Sequence, residues 1–168
     1  MPGEGSGYAG VMVVGEGPGR EEDRSGRPFV GRAGRLLEDL LASAGLGRDD
    51  VYITNVIKCR AITATDPARD RPPAPEEISA CAPWLGAQGV LLRPRIVVTL
   101  GRHALEAFLP GARLAQVHGR PQHRGVQTIL PLYHPSYALR NPNARPVLFN
   151  DIQALAELVK APRSARLP

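Results

Sequence analysis

Val11-Met12-Val13-Val14-Gly15-Glu16-Gly17-Pro18-Gly19-Arg20-Glu21-Glu22-Asp23 runs an apolar, β-branched segment straight into a Gly-Pro turn crowded with carboxylates. A second glycine-rich stretch, Gly26-Arg27-Pro28-Phe29-Val30-Gly31-Arg32-Ala33-Gly34, holds a phenylalanine between proline and glycine. Leu36, Leu37, Leu40, Leu41 and Ala44 then repeat at helical spacing and stop near Gly45 and Gly47. This is a βα unit whose loop is built for a ligand. Glycine lets the backbone come close, proline stiffens the turn, and open α/β sheets bind their ligands at the carboxyl ends of strands. The loop is not a phosphate cradle, because Arg20 stands at the third glycine position of GxGxxG and no GxxxxGK[ST] is present.

Outward from this unit the same alternation continues. Val51 to Ile57 reads as a second strand, Asp66 to Pro75 as a proline-rich loop, and a helix starts near Pro75 with Glu76 and Glu77 in its first turn. Ile96 to Gly101 is a third strand, followed by a short helix from Arg102 to Leu109 that Pro110-Gly111 ends. Val126 to Tyr133 supplies a fourth strand, broken by Pro131, and Leu148, Ile152, Leu155 and Leu158 mark a last helix. Parallel strands need crossovers, and right-handed crossovers put helices on both faces. The expected fold is α/β, a three-layer α/β/α sandwich with a central four-stranded parallel sheet.

The 168 residues, 43% of them hydrophobic, suffice for one domain with its core over about 11–160. The glycine-rich first ten residues and a basic tail, 161–168, are expected to be flexible. The formal charge is +5, and Lys58 and Lys160 are the only lysines, so arginine carries the rest. Arginine's fork suits phosphate and hence a polyanionic partner; a solvated arginine surface left by GC-rich coding is the alternative. No apolar run serves as a signal peptide or membrane span, which points to a cytoplasmic protein, by default a monomer. Cys59 and Cys81 are the only cysteines and form no CxxC unit.

The loops after the strands gather the chemistry: Glu16 and Glu22 after the first, Asn55 and Lys58 after the second, His103 after the third, His134-Pro135-Ser136 after the fourth. Neither a nucleophile elbow nor an HExxH pair is among them. This is a candidate active site without a nucleophilic serine or a metal pair.

Six pieces in order, GEGPGREED (15–23), GRPFVGRAG (26–34), YITNVIKCR (52–60), PEEISAC (75–81), IVVTLG (96–101) and HPSYALR (134–140), resemble the family-4 uracil-DNA glycosylases across roughly residues 11–158. The resemblance implies hydrolysis of the bond between uracil and deoxyribose in DNA, which starts base-excision repair. An extruded base must be caught by stacking and edge hydrogen bonds. Phe29 matches the stacking aromatic, Gly17 lies in the substrate-binding turn, and Asn55 matches the uracil-reading amide, whose donor and acceptor suit O4 and N3–H. His134 matches the residue that stabilises charge developing on uracil O2. Glu16 and Glu22 both match acidic positions of the family, and either one could orient the water or stabilise the sugar cation. Each also has a structural reading: Phe29 as a core aromatic, Asn55 as a strand-end cap, Glu16 as a brace of its own turn, Glu22 as a cap of the next segment. Residues 134–141 resemble the DNA-penetrating loop, with Leu139 as wedge and Arg140 on phosphate; Arg27, Arg32 and Arg145 are further phosphate candidates.

The family resemblance also implies a 4Fe-4S cluster on four cysteines. Cys59 and Cys81 match two of these ligands and the other two are absent from this sequence. Truncation at the start is the expectation, loss of the cluster the alternative. Asp70-Arg71 stands where the family usually has Asn-Arg, and the Lys-Arg-Arg-Ile-His insertion of covalently DNA-trapping relatives is missing, so ordinary turnover on uracil-containing DNA is expected. A DNA-binding or repair-partner module of the same fold is the runner-up, and a nucleotide-binding α/β domain the third reading.

Overall fold

Val11 and Val13 turn to one side of a sheet and Met12 and Val14 to the other, so one five-residue strand seeds two hydrophobic cores. The structure, a computed structural model, describes residues 1–161. Its elements in chain order begin with β1 (Glu4–Gly5), β2 (Val11–Gly15), α1 (Arg20–Ser25), α2 (Arg32–Ser43), a 3-10 turn (Arg48–Asp50), β3 (Tyr52–Asn55) and α3 (Pro75–Leu92). They continue with β4 (Ile96–Leu100), α4 (Arg102–Phe108), α5 (Leu114–Val117), β5 (Gln122–Arg124), β6 (Gln127–Leu132), α6 (Pro135–Arg140), α7 (Ala144–Asp151) and α8 (Gln153–Lys160).

The strand order is β1-β3-β2-β4-β6-β5. The four inner strands are parallel, with Val13 opposite Ile53 on one side and Val98 on the other, and Val98 opposite Leu130. Helices cover both faces, so the three-layer α/β/α expectation holds. The sheet itself is mixed and six-stranded, because β1 and β5 pair antiparallel at its edges. Neither edge strand has an apolar alternation to announce it: one is Glu-Gly and the other Gln-His-Arg. Backbone pairing alone makes them strands.

The first residues, expected to be loose, lie along β3. Thr54 Oγ1 donates to the Pro2 carbonyl at 2.8 Å, and the N-terminal ammonium donates to the Lys58 carbonyl at 2.7 Å. At the other end, Arg95 holds the last turn of α8 by donating to the carbonyls of Leu158 (2.9 Å) and Ala161 (3.1 Å). Of the expected tail, residues 162–168 lie outside the described residues. The last helix divides into α7 and α8 at Ile152, which keeps near-helical angles.

Pro131 does not break the fourth strand. It pairs in register with Thr99 of β4, and its carbonyl accepts from Gly119 N at 2.8 Å on the opposite side. A residue's N–H and C=O point to the same side of a strand, so the donor that proline lacks would have faced past the end of three-residue β5, where no ladder continues.

On one face, Leu36, Leu37, Leu40 and Leu41 of α2 pack with Leu148, Ile152 and Leu155 against Val11, Val13, Ile53 and Val98. On the other, Leu85 of α3 and Ala104 of α4 cover Met12, Val14, Val97 and Ile129. These buried leucines carry most of the stabilisation that α2 draws from the sheet. Leu40 is fully buried. A Leu40→Ala variant is therefore expected to lose about 2–5 kcal/mol of unfolding free energy, read from urea denaturation.

Candidate active site

The connections that leave β2, β3, β4 and β6 open onto one sheet edge, around a cleft of about 870 Å³. Glu16, Phe29, Asn55, His103, His134 and Arg140 all line it. The parallel register is what brings them together, since residues as far apart in sequence as Glu16 and His103 sit at equivalent strand ends.

Gly15 closes β2 opposite Asn55, the last residue of β3. A Cβ on Gly15 would lie 2.4 Å from Asn55 Oδ1 and 2.5 Å from Phe29 Cζ. Only glycine allows the amide and the ring to meet here. Asn55 is 4% exposed, and its Oδ1 has no hydrogen-bond partner; among the described residues the other buried side-chain polar atom in this condition is Thr99 Oγ1, inside the sheet. An unpaired buried acceptor costs about 1–3 kcal/mol unless a ligand supplies a donor. The amide's backbone is braced from behind: Lys58 Nζ donates to the Asn55 carbonyl (2.7 Å), to Thr54 Oγ1 (2.9 Å) and to Gln88 Oε1 (2.9 Å). Burial lowers the Lys58 pKa to about 8.

Phe29 is buried, and its backbone is left-handed, φ 53°. For an aromatic residue this conformation costs roughly 1–3 kcal/mol and persists only where the surroundings impose it. Its ring faces that of His134 at a centroid distance of 5.7 Å and an interplanar angle of 29°. His134 caps α6: its Nδ1 accepts from Ser136 N at 3.1 Å and lies 2.8 Å from Ser136 Oγ. A backbone N–H can only donate, so Nδ1 is bare and the imidazole carries its proton on Nε2. Burial lowers the His134 pKa to about 4, with the charge of Glu16 acting in the opposite direction and that of Arg140 reinforcing it. At neutral pH the ring is an uncharged Nε2–H donor.

The two acidic candidates have different surroundings. Glu22 Oε1 accepts from Val30 N (3.0 Å) and Gly31 N (2.9 Å), and its Oε2 accepts from Gly19 N (3.1 Å). Its carboxylate thus ties the glycine turn to the phenylalanine loop at the N-terminus of α2. Glu16 is half-buried; its Oε2 lies 2.6 Å from His103 Nδ1, and among the described residues no partner engages Oε1. Gly17 passes against Ile57 on the cleft wall.

Leu139 is half-buried and packs against the core beneath α6, while Arg140 is exposed at the cleft. Arg32 is exposed and also lines the cleft, whereas Arg27 is taken up by both oxygens of Glu4 (2.8 and 2.7 Å) and Arg145 lies 3.6 Å from Asp39. Arg71 grips Glu77 with two bonds, and Asp70 pairs with Arg60.

The cysteines do not fit a four-iron cluster. Cys59 is exposed, and Cys81 accepts from Lys58 N at 3.3 Å. Among the described residues no group of three or more His, Cys, Asp or Glu comes together as a metal site. A Cys₄ cluster requires four thiolates and the chain has two. Nor is any helix of the described residues long and apolar enough to cross a membrane.

Sequence reading gave His103 no role and passed over Gly15. His103 is placed in the site by its position directly after a strand, without a partner, and Gly15 could have been suspected from the motif it opens. Nothing local marks the contact between Glu16 and His103, which are 87 residues apart.

The chain matches the family described as the Uracil DNA glycosylase superfamily over residues 2–157. It is 44% identical to the type-4 uracil-DNA glycosylase of Thermotoga maritima, over 94% of this chain and 82% of that protein. It is 41% identical to the type-4 enzyme of Sulfurisphaera tokodaii, over 97% of this chain and 76% of that protein, and 40% identical to that of Archaeoglobus fulgidus, over 94% and 81%.

The His134 geometry has a direct spectroscopic consequence. Its ring ¹⁵N shifts should report the Nε2–H tautomer at pH 7 and show protonation only near pH 4. In the unfolded chain the same ring titrates near 6.5, so between 6.5 and about 4 the unfolded state binds the extra proton. His134 therefore contributes stability that is complete above pH 6.5 and lost as pH falls towards 4, which denaturation midpoints measured across that window will show.

Proposed function

The chain belongs to the uracil DNA glycosylase superfamily, and on that footing we propose that it excises uracil from DNA, by hydrolysis that leaves an abasic site. The observation that carries the reading is the unpartnered, buried Asn55 Oδ1, held against Phe29 and within the same cleft as the Nε2–H of His134. Uracil presents a donor at N3–H and acceptors at O4 and O2. Asn55 offers its Oδ1 to N3–H and its amide N–H to O4, which cytosine, with an acceptor at N3 and an amine at C4, does not match. Phe29 stacks on the extruded base, an interaction worth about 1–3 kcal/mol against the cost of unstacking.

As the C1′–N1 bond breaks, its electron pair passes into the base and charge grows on O2. His134 donates Nε2–H to that oxygen; being neutral, it needs no proton transfer to do so, and its hydrogen bond strengthens as the charge develops. Water adds its oxygen to C1′. Glu16, with Oε2 turned to His103, uses Oε1 to orient that water and accept its proton, and its charge favours the cationic sugar. Glu22 is assigned to shaping the loop, because its carboxylate is spent on three backbone N–H groups. Gly17 gives the base access past Ile57, and Arg140 on α6, exposed at the cleft, is assigned to phosphate, with the half-buried Leu139 beside it assigned as the wedge. Cys59 and Cys81 take no part in any step. Free thiols suit a reducing compartment, so we place the protein in the cytoplasm as a single-domain monomer.

The incomplete thiolate set is the observation behind a second reading, a DNA-binding module that does not excise. One assay separates the two: a short strand carrying a single uracil, with thymine and cytosine strands as controls and alkali to reveal abasic sites. The wild-type chain is expected to cleave only at uracil. Asn55→Ala should lower kcat/KM by about 10²-fold or more, since two edge hydrogen bonds vanish, while DNA binding persists. His134→Ala should lower kcat by about 10²–10³-fold. Binding without cleavage by the wild type would leave only the second reading.

A further inference from the structure

What keeps Phe29 in its left-handed conformation is not the cleft itself. The loop Pro28-Phe29-Val30-Gly31 belongs to no helix or strand, and two opposite charges grip it from opposite sides. Glu22 holds the N–H groups of Val30 and Gly31. The carbonyls of Pro28 and Phe29 turn to a single guanidinium, Arg48, whose Nη1 donates to the Phe29 oxygen at 3.0 Å and whose Nη2 donates to the Pro28 oxygen. From below, Gly34 of α2 presses so close that a Cβ there would lie 1.9 Å from the Phe29 oxygen.

Arg48 is well placed for this task and badly placed for others. It sits on the 3-10 turn that leads into β3, the strand that ends in Asn55, so the residue that holds the stacking ring is built on the element that presents the edge-reading amide. Its side chain is 15% exposed, and its remaining contacts are Glu4 Oε1 to Nε (3.3 Å) and Glu38 Oε1 to Nη1 (3.3 Å), so its fork is turned inward and engaged rather than offered to a phosphate. Glu4 lies on β1, and its carboxyl is held at a pKa of about 2, chiefly by Arg27 and further by Arg48. The edge strand thereby braces the arginine.

We propose that Arg48 is a positioning residue for the base pocket: it fixes Phe29 in the left-handed geometry that presents the ring to an extruded uracil, with Glu4 of β1 holding the guanidinium in place. This rests on uracil excision as the function. A planar fork can serve two adjacent carbonyls and a carboxylate at once, which a lysine ammonium on a flexible stem cannot do with the same directionality. Lysine at this position should therefore not substitute.

The test is a double-mutant cycle on the full chain, with the single-uracil strand as substrate and free uracil as competing ligand. Arg48→Met should lower kcat/KM about tenfold or more and weaken inhibition by free uracil to a similar extent, as the loss of a well-placed stack demands. Arg48→Lys, which keeps charge and volume should the methionine variant fail to fold, should behave alike. In a Phe29→Ala background either change should alter kcat/KM by less than about twofold, because the ring it positions is gone. Folded Arg48 variants within about twofold of wild type, or a loss undiminished in the Phe29→Ala background, would overturn the assignment. Backbone shifts of Phe29 supply a readout that does not depend on activity: the left-handed signature should be present in wild type and lost in the Arg48 variants, and its persistence there would also overturn it. A wild type that shows the signature but excises no uracil would refute the function and leave the clamp standing as structure.

Discussion

The cleft depends on one carboxylate. Glu22, on the short helix α1, accepts three backbone N–H bonds from the loops at either end of that helix, and without it Gly19 on one side and Val30 and Gly31 on the other would each present unpaired donors. Charge-assisted bonds of this kind are about twice as strong as neutral ones, and the position of the anion at the N-terminus of the twelve-residue α2 adds the helix dipole to them. Because α2 is in turn fastened to the sheet by its row of leucines, the loop inherits the rigidity of the core. The glycine turn supplies room and the core supplies stiffness, and Glu22 is where the two are joined.

The amide of Asn55 illustrates how such stiffness becomes selectivity. A buried acceptor without a partner raises the energy of the free protein, and a ligand with a donor at the right place relieves it, while a ligand with an acceptor there leaves two lone pairs facing each other. In the proposed reading the discrimination is set before any ligand arrives, since Gly15, Lys58 and the strand register leave the amide little freedom to turn away.

Much of this was legible in the sequence, and for definite reasons. The period-two pattern of Val11–Val14 and of Ile96–Leu100 and the helical spacing of Leu36 to Leu41 fix layers because burial is periodic, and the strand-end positions of Asn55 and His134 follow from them. What escaped lacks periodicity. Glu4-Gly5 and Gln122-His123-Arg124 become strands only because a neighbouring edge offers partners, and Pro131 looked like an interruption because sequence does not say which side of a strand has no neighbour. The division of labour between Glu16 and Glu22 was also hidden: two carboxylates six residues apart read alike until the chain folds and gives one of them a histidine from α4 and the other three backbone donors. Arg48 carried no local signal, for its partners are a loop twenty residues earlier and an edge strand farther back.

Pro131 has a consequence beyond tolerance of a proline in a strand. The stretch of β6 beyond three-residue β5 has no strand beside it; the segment around Gly119 lies along it instead, and Pro131 is buried there. The chain presents at that point a residue with no donor, and the Pro131 carbonyl that remains is already taken by Gly119. One N–H from the turn before β5 therefore completes this side of the sheet, and no further extended segment is needed to finish it.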